Sequence, residues 1–252
     1  MHSKPTLVFI HGAALGPWVW TRTLVPHFES LGLRCFAPDL HDAWPAPDWS
    51  DPISRLPLTH YVDRLDTLLT RSRGPHILIG HGMGACMAQA LVARGHRDGV
   101  VLIAPTPAEG LMPLARQMAL HRPAAWARMR IARRPALLLG EPGRPDPMRV
   151  RQMLLSPEAS DTLASEVAAQ LRDESFDACL AWLAPNPVPD DPGVPALVIG
   201  GRDDALVRPE QLRHTAAAWR ATAHLVPRAG HCPMLGESAI TVARHIERWL
   251  FD

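Results

Sequence analysis

The stretch HILIGHGMG, residues 76–84, joins an apolar run to a glycine-flanked turn and then to a helical pattern. Small residues around such a turn let a strand and a helix approach each other closely. The layout exposes the central residue of the turn, where enzymes built this way carry a nucleophile. The central residue here is Gly82. Because glycine has no side chain, covalent catalysis through this position is excluded.

Three further segments stand at the ends of strand-like runs or before the last helical pattern. HGA follows the first apolar run at residues 11–13, GGRDDALV follows a late one at residues 200–207, and AGHCPMLGE occupies residues 229–237. With these four segments in this order, the chain resembles the α/β-hydrolase superfamily, in its capped esterase- and lyase-like branch, over about residues 4–250. The resemblance departs from the family's G-x-S-x-G pattern at Gly82, which replaces the serine.

The resemblance implies a role for each matching residue. His231 would be the general base, and Asp204 would hold its imidazole in the correct tautomer, with Asp203 as a competitor for that position. The backbone N–H groups of Ala13 and Met83 would form the oxyanion hole. The glycine leaves these backbone donors intact.

Three interpretations of Gly82 compete. In the first, the protein is a natural serine-free enzyme in which His231 and Asp204 act as general base on water or on a substrate proton. The resemblance also implies an alternative to hydrolysis, a lyase, cyclase or oxygenase that uses the same pair. In the second, the chain is a Ser-to-Gly inactivated esterase, and in the third it is a non-catalytic ligand binder. Retention of His231, Asp204 and the HGA loop favours the first. We therefore expect a cofactor-independent enzyme acting on a small ester or thioester.

Several other side chains are expected to be structural. Cys86 and Cys232 are interpreted as core residues rather than nucleophiles. His81 is interpreted as a packed histidine, and Trp18 and Trp20 as residues that pack the first helix onto the sheet.

Two segments leave their roles open. The family commonly has a proline-glycine-histidine-glycine loop at the position of His41, Asp42 and Trp44. These residues either reshape a pocket or form a surface loop. Residues 110–140 contain no Asp or Glu but carry six arginines, namely Arg116, Arg122, Arg128, Arg130, Arg133 and Arg134. This basic segment is either a solvated face or a docking site for an acyl carrier protein or coenzyme A thioester.

Composition excludes several classes of function. The chain has 252 residues and 26 basic against 25 acidic side chains, so its formal net charge of +1 indicates neither nucleic-acid nor membrane attraction. The spacings of metal motifs and of dinucleotide-binding motifs are absent, so no metal or cofactor is expected. Four cysteines without C-x-x-C spacing and the lack of an export-like apolar segment predict a cytoplasmic protein.

The elements that must position these residues follow from apolar runs and helical periodicity. Strands are predicted at residues 6–10, 34–37, 76–79, 100–103, 196–199 and 224–226, and helices include residues 59–70, 83–93, 157–171, 174–183 and 240–250. The alternation predicts an α/β fold with a mostly parallel, doubly wound sheet. The alternation of strands and helices stops over residues 106–190. We predict that this segment is a helical cap inserted into a core of residues 1–105 and 191–252.

Overall fold

A parallel sheet positions the candidate site. The computed structural model describes residues 4–41, 55–96, 98–141, 144–186 and 192–252. Within these ranges, the main sheet has six strands: β1 (Thr6–Ile10), β2 (Arg34–Phe36), β3 (His76–His81), β4 (Val100–Ile103), β7 (Ala196–Gly201) and β8 (Ala223–Val226). Their order is β2-β1-β3-β4-β7-β8, and all neighbouring strands are parallel. The predicted α/β fold is confirmed.

Helices cover both faces of this sheet. They are α1 (Trp18–Thr21), α2 (Leu24–Ser30), α3 (Leu58–Arg71), α4 (Met83–Ala93), α10 (Pro209–Ala218) and α11 (Ala239–Phe251). Successive residues of β1 point to opposite faces, so Leu7 and Phe9 join the core under α2 and α11, whereas Val8 and Ile10 join the core under α3, α4 and α10. Burial on both faces explains why the central strands are continuous apolar runs.

The chain between β4 and β7 is mostly helical. It contains α5 (Met112–His121), α6 (Pro123–Ala132), α7 (Pro147–Leu154), α8 (Asp161–Gln170) and α9 (Phe176–Leu183). It also contains two short antiparallel strands, β5 (Gly140–Glu141) and β6 (Arg144–Pro145), which the sequence did not predict. The boundaries of the cap at residues 106 and 190 stay a prediction.

Two helices in this interval begin later than predicted. The helix expected from residue 157 begins at Asp161, because the Ser160 hydroxyl oxygen accepts a hydrogen bond from the Leu163 N–H and caps the helix. The helix expected from residue 174 begins at Phe176 for the same reason, with Ser175 as its cap. The latter shift leaves Glu174 outside the helix.

The first turn of α4 lies against the end of β1. A Cβ atom added to Gly84 would lie 2.2 Å from the carbonyl oxygen of Ile10 and 2.6 Å from that of His11. Both neighbours are backbone atoms of a buried strand end and cannot move aside cheaply. Gly84 is therefore required for this close approach of helix and strand.

Replacing Gly84 by alanine should lower the free energy of unfolding by about 2–3 kcal/mol, because the methyl group would force α4 away from β1. Gly99→Ala is the control. Its added Cβ would meet the far ends of two side chains, Ile77 at 2.6 Å and Trp249 at 3.0 Å, and no backbone atom nearer than 3.8 Å. Urea denaturation of both variants tests this prediction, and equal losses in the two would contradict it.

Candidate active site

The turn between β3 and α4 holds Gly82 in a backbone conformation with φ 53° and ψ −115°. Residues with a Cβ rarely adopt this conformation, which costs them about 1–3 kcal/mol. β3 continues to His81, two residues beyond its predicted end, and α4 begins at Met83. The turn therefore lies at the carboxyl edge of the sheet, where ligands bind in open α/β folds.

His231 and Asp204 meet at the same edge. The Nδ1 atom of His231 lies 3.0 Å from one carboxylate oxygen of Asp204 and 3.2 Å from the other, and both residues are buried. The Asp204 carboxylate also accepts hydrogen bonds from the N–H groups of Leu206 and Val207, at 2.7 and 3.0 Å. A carboxylate held in this way orients the ring so that Nδ1 carries the proton and Nε2 is free to accept one. The competing residue, Asp203, is exposed.

The free Nε2 atom of His231 faces the turn. A Cβ built on Gly82 would lie 3.3 Å from this nitrogen and 3.9 Å from the Trp182 ring. The space that a nucleophilic side chain would fill is thus bounded by an imidazole and an indole. A water molecule or a substrate atom in this space would be within reach of the imidazole.

The two expected oxyanion donors border the same space. Met83 is the first residue of α4, where a backbone N–H has no intrahelical acceptor. Within the described residues, neither this N–H nor that of Ala13 has an acceptor. The positive end of the α4 dipole adds to the attraction for a developing negative charge.

An apolar cavity of about 140 Å³ contains these groups. Gly82, Met83 and His231 line it from the sheet, and Ala13 lines it from the loop after β1. Its other walls come largely from α5, α6 and α9 and include Leu111, Met118, Trp126, Phe176 and Trp182. An apolar wall favours an apolar substrate and strengthens electrostatic interactions inside the cavity.

Glu174 also lines this cavity, and sequence reasoning missed it. Its carboxylate accepts hydrogen bonds from the Tyr61 hydroxyl at 2.5 Å and from the Ser175 N–H at 2.9 Å. The Nε2 atom of His41 lies 3.3 Å from the carboxylate, and this contact, together with the Tyr61 and Ser175 donors, holds the pKa of Glu174 below the usual range despite the opposing effect of burial. Glu174 is therefore ionised at neutral pH.

Two buried histidines near the site make structural hydrogen bonds. His81 donates from Nε2 to the carbonyl oxygen of His231 at 2.9 Å, and burial lowers the pKa of His81 well below its usual value. His11 donates from Nδ1 to the Gly12 carbonyl at 3.0 Å and accepts the Leu40 N–H at Nε2, 3.1 Å away. Burial lowers the pKa of His11 to about 4. Both rings are neutral at pH 7.

The buried thiols and one cluster of potential metal ligands lie close to the site. Burial raises the pKa of Cys86 to about 11, and its thiol donates to Thr106. Burial also raises the pKa of Cys232. Ligand atoms of His11, Asp39 and His41 lie within 4.8 Å of one another. Since both ring nitrogens of His11 already have partners, this cluster would have to rearrange to bind a metal.

The sequence profile of the alpha/beta hydrolase family matches residues 7–244, which is nearly the whole chain. The chain belongs to the alpha/beta hydrolase family. No curated protein matches the sequence.

Solved structures of similar fold cover almost the full length of this alpha/beta hydrolase. A bromoperoxidase from Bacillus anthracis is 15% identical with a TM-score of 0.71, and the match covers 100% of this chain and 93% of that one. A thermophilic esterase from Thermogutta terrifontis is 22% identical with a TM-score of 0.70, covering 99% and 90%. Polyneuridine aldehyde esterase is 19% identical with a TM-score of 0.67, covering 98% and 99%. At these identities the likeness shows the fold.

The basic segment of this alpha/beta hydrolase is partly neutralised. Within the described residues, three of its six arginines form ion pairs: Arg128 with Glu141, Arg133 with Asp177, and Arg134 with Asp173.

The two tryptophans after β1 pack as expected, since Trp20 is fully buried and Trp18 is half-buried in the same core. Asp42 and Trp44 lie outside the described residues.

A Cβ at position 82 should destabilise this alpha/beta hydrolase. We expect Gly82→Ala to lower the free energy of unfolding by about 1–3 kcal/mol, because the positive φ strains any L side chain. Gly82→Ser carries the same Cβ and should lose a similar amount in the same urea titration. Unchanged stability in both variants would show that the turn relaxes.

Acid should destabilise the fold through His11. The pKa of His11 in the folded state, about 4, is below its usual value of 6.5, so the unfolded chain binds a proton first as the pH falls. Stability should therefore fall between pH 6.5 and 4, by on the order of 3 kcal/mol from this residue. Urea titrations across this range should show a shallower pH dependence for His11→Gln than for the parent. The exposed His121→Gln variant is the control and should keep the parent slope.

Proposed function

We propose that this alpha/beta hydrolase is a cofactor-independent enzyme that hydrolyses small apolar esters or thioesters without a serine nucleophile. One observation carries the proposal: the Nε2 atom of an imidazole oriented by Asp204 faces the space above Gly82, inside a cavity that also contains two backbone donors. The family supports hydrolase chemistry, and the missing side chain requires that the nucleophile come from solution.

In the proposed reaction, His231 acts as general base on water. Its Nε2 takes a proton from the water molecule as the water oxygen bonds to the carbonyl carbon. The carbonyl π electrons move to the oxygen, which accepts hydrogen bonds from the N–H groups of Ala13 and Met83. The resulting imidazolium is stabilised by Asp204. Collapse of the tetrahedral intermediate expels the alkoxide or thiolate, which takes the proton back from His231.

The cavity supports the choice of substrate class. Its walls are chiefly leucine, methionine and aromatic side chains, which favour a compact hydrophobic acyl or alcohol group. A thioester substrate would be presented by an acyl carrier protein or by coenzyme A. Arg116 and Arg130 are exposed on α5 and α6, near the helices that form the cavity wall.

A second candidate is proton abstraction from the substrate itself. Because position 82 has no side chain, a carbon atom beside a substrate carbonyl fits next to the His231 Nε2 atom without displacing protein atoms. The same N–H groups would then stabilise an enolate. This reaction would exchange a substrate hydrogen for deuterium in heavy water, whereas ester hydrolysis by attack of water would not.

Hydrolysis of p-nitrophenyl acetate, butyrate and hexanoate tests the proposal. The parent should show an activity that falls at least 100-fold in kcat/KM in His231→Ala, since general base catalysis contributes about 10²–10⁴-fold. Asp204→Asn should also be impaired, because the amide cannot stabilise the imidazolium. His231→Ala, purified in the same way, also serves as the control for contaminating esterases.

Gly82→Ser separates the remaining interpretations. Activity that appears only in Gly82→Ser would contradict the proposal and identify an inactivated serine esterase. If neither protein hydrolyses an ester in a His231-dependent way, and no substrate hydrogen exchanges in heavy water, a non-catalytic binder is indicated.

A further inference from the structure

A buried carboxylate stands out in the apolar cavity. Among the described residues that line it, Glu174 is the one carboxylate, and its side chain is only 1% exposed. Burial of an ionised carboxylate is costly unless hydrogen bonds compensate it. None of the steps proposed above uses this group, so its position requires a separate account.

The two oxygens of Glu174 differ in their partners. Oε1 accepts two good hydrogen bonds, from the Tyr61 hydroxyl at 2.5 Å and the Ser175 N–H at 2.9 Å. Oε2 has a long contact with the Ala14 N–H at 3.4 Å and lies 3.3 Å from Nε2 of His41. Both ring nitrogens of His41 are buried and make no aligned hydrogen bond within the described residues. Oε2 therefore retains capacity to accept a hydrogen bond from a ligand.

The charges around Glu174 indicate which kind of ligand group would donate a hydrogen bond to Oε2. Asp39 forms an ion pair with Arg172 at 2.6 Å, and His41 lies between Asp39, at 3.5 Å, and Glu174. Burial opposes protonation of His41, but its contact with Glu174 outweighs burial and raises its pKa. Each carboxylate of the cluster already has a basic partner, Arg172 for Asp39 and His41 for Glu174. A neutral hydroxyl group is favoured over a cation, which would add an uncompensated charge.

The position of Oε2 locates this hydroxyl relative to the reacting group. Ala14, which contacts Oε2, directly follows Ala13, the oxyanion donor of the proposed reaction. Ala14 also has a left-handed conformation, with φ 62°, that a residue with a Cβ adopts only under constraint. The carboxylate thus borders the loop that would bind the substrate carbonyl.

From these contacts we infer that the cavity selects apolar carbonyl compounds that carry a hydroxyl group close to the carbonyl, and that Glu174 accepts a hydrogen bond from this hydroxyl. The inference rests on the proposed use of the cavity for substrate. It adds a specificity-determining residue beside the loop after β1 that carries Ala13 and Ala14.

Isothermal titration with non-hydrolysable ketones tests the inference without requiring turnover. 2-Hydroxyacetophenone carries the hydroxyl donor. In 2-methoxyacetophenone a methyl group replaces the hydroxyl hydrogen, and acetophenone lacks the oxygen substituent altogether. The parent protein should bind the hydroxyl compound about tenfold more tightly than either of the other two, as a hydrogen bond to a charged group predicts.

Glu174→Gln should reduce this preference to less than about twofold. The matched control, Glu158→Gln on the exposed surface, should keep the parent preference. If Glu174→Gln does not fold, the comparison of the three ketones on the parent protein still decides the question.

Equal affinity of the parent for the three ketones would overturn the inference. Failure of all three to bind at millimolar concentration, or an unchanged preference in folded Glu174→Gln, would overturn it as well. The outcome is independent of the esterase assay, because ketones have no leaving group. A hydroxyl preference without hydrolysis would refute the proposed function and leave the role of Glu174 standing.

Discussion

The close packing of α4 against the end of β1 is the constraint on which the rest of the site depends. With no side chain at Gly84, the first turn of α4 lies directly on the backbone of Ile10 and His11. This contact fixes the direction of the Met83 N–H and the sharp turn at Gly82. It also brings the helix N-terminus beside the loop that carries Ala13, so that two backbone donors from distant parts of the chain border one cavity.

Two clusters of buried charged groups determine which polar groups the cavity can stabilise. The Asp204 carboxylate is fixed by two backbone N–H groups and by the His231 ring, which is an arrangement suited to stabilising an imidazolium. A second ionic cluster, centred on Glu174, lies beside Ala14 in the loop after β1. Because apolar side chains surround both clusters, their charges are weakly screened and act strongly on any polar group that enters.

The fold could be predicted from the sequence because buried parallel strands are continuous apolar runs, and the alternation with helices leaves few topologies. The pairing of His231 with Asp204 was implied by the resemblance to the α/β-hydrolase superfamily. Glu174 could not be found in this way. Its partners Ala14, His41 and Tyr61 are between 113 and 160 residues away in the chain, and a single glutamate before a helix has no informative spacing. The helix starts at Asp161 and Phe176 were missed because serine caps competed with helical periodicity.

The hydrogen bond from His81 to the carbonyl of His231 joins the strand before the turn to the loop that carries the imidazole. This hydrogen bond holds the end of β3 and the loop of His231 in a fixed relative position on the sheet side of the cavity. Much of its wall, in contrast, comes from the segment between β4 and β7. Mutations in that segment can change the size and shape of the ligand space while Gly82, Asp204 and His231 keep their mutual distances. The shape of the ligand space is thus free to vary independently of the geometry at the strand ends.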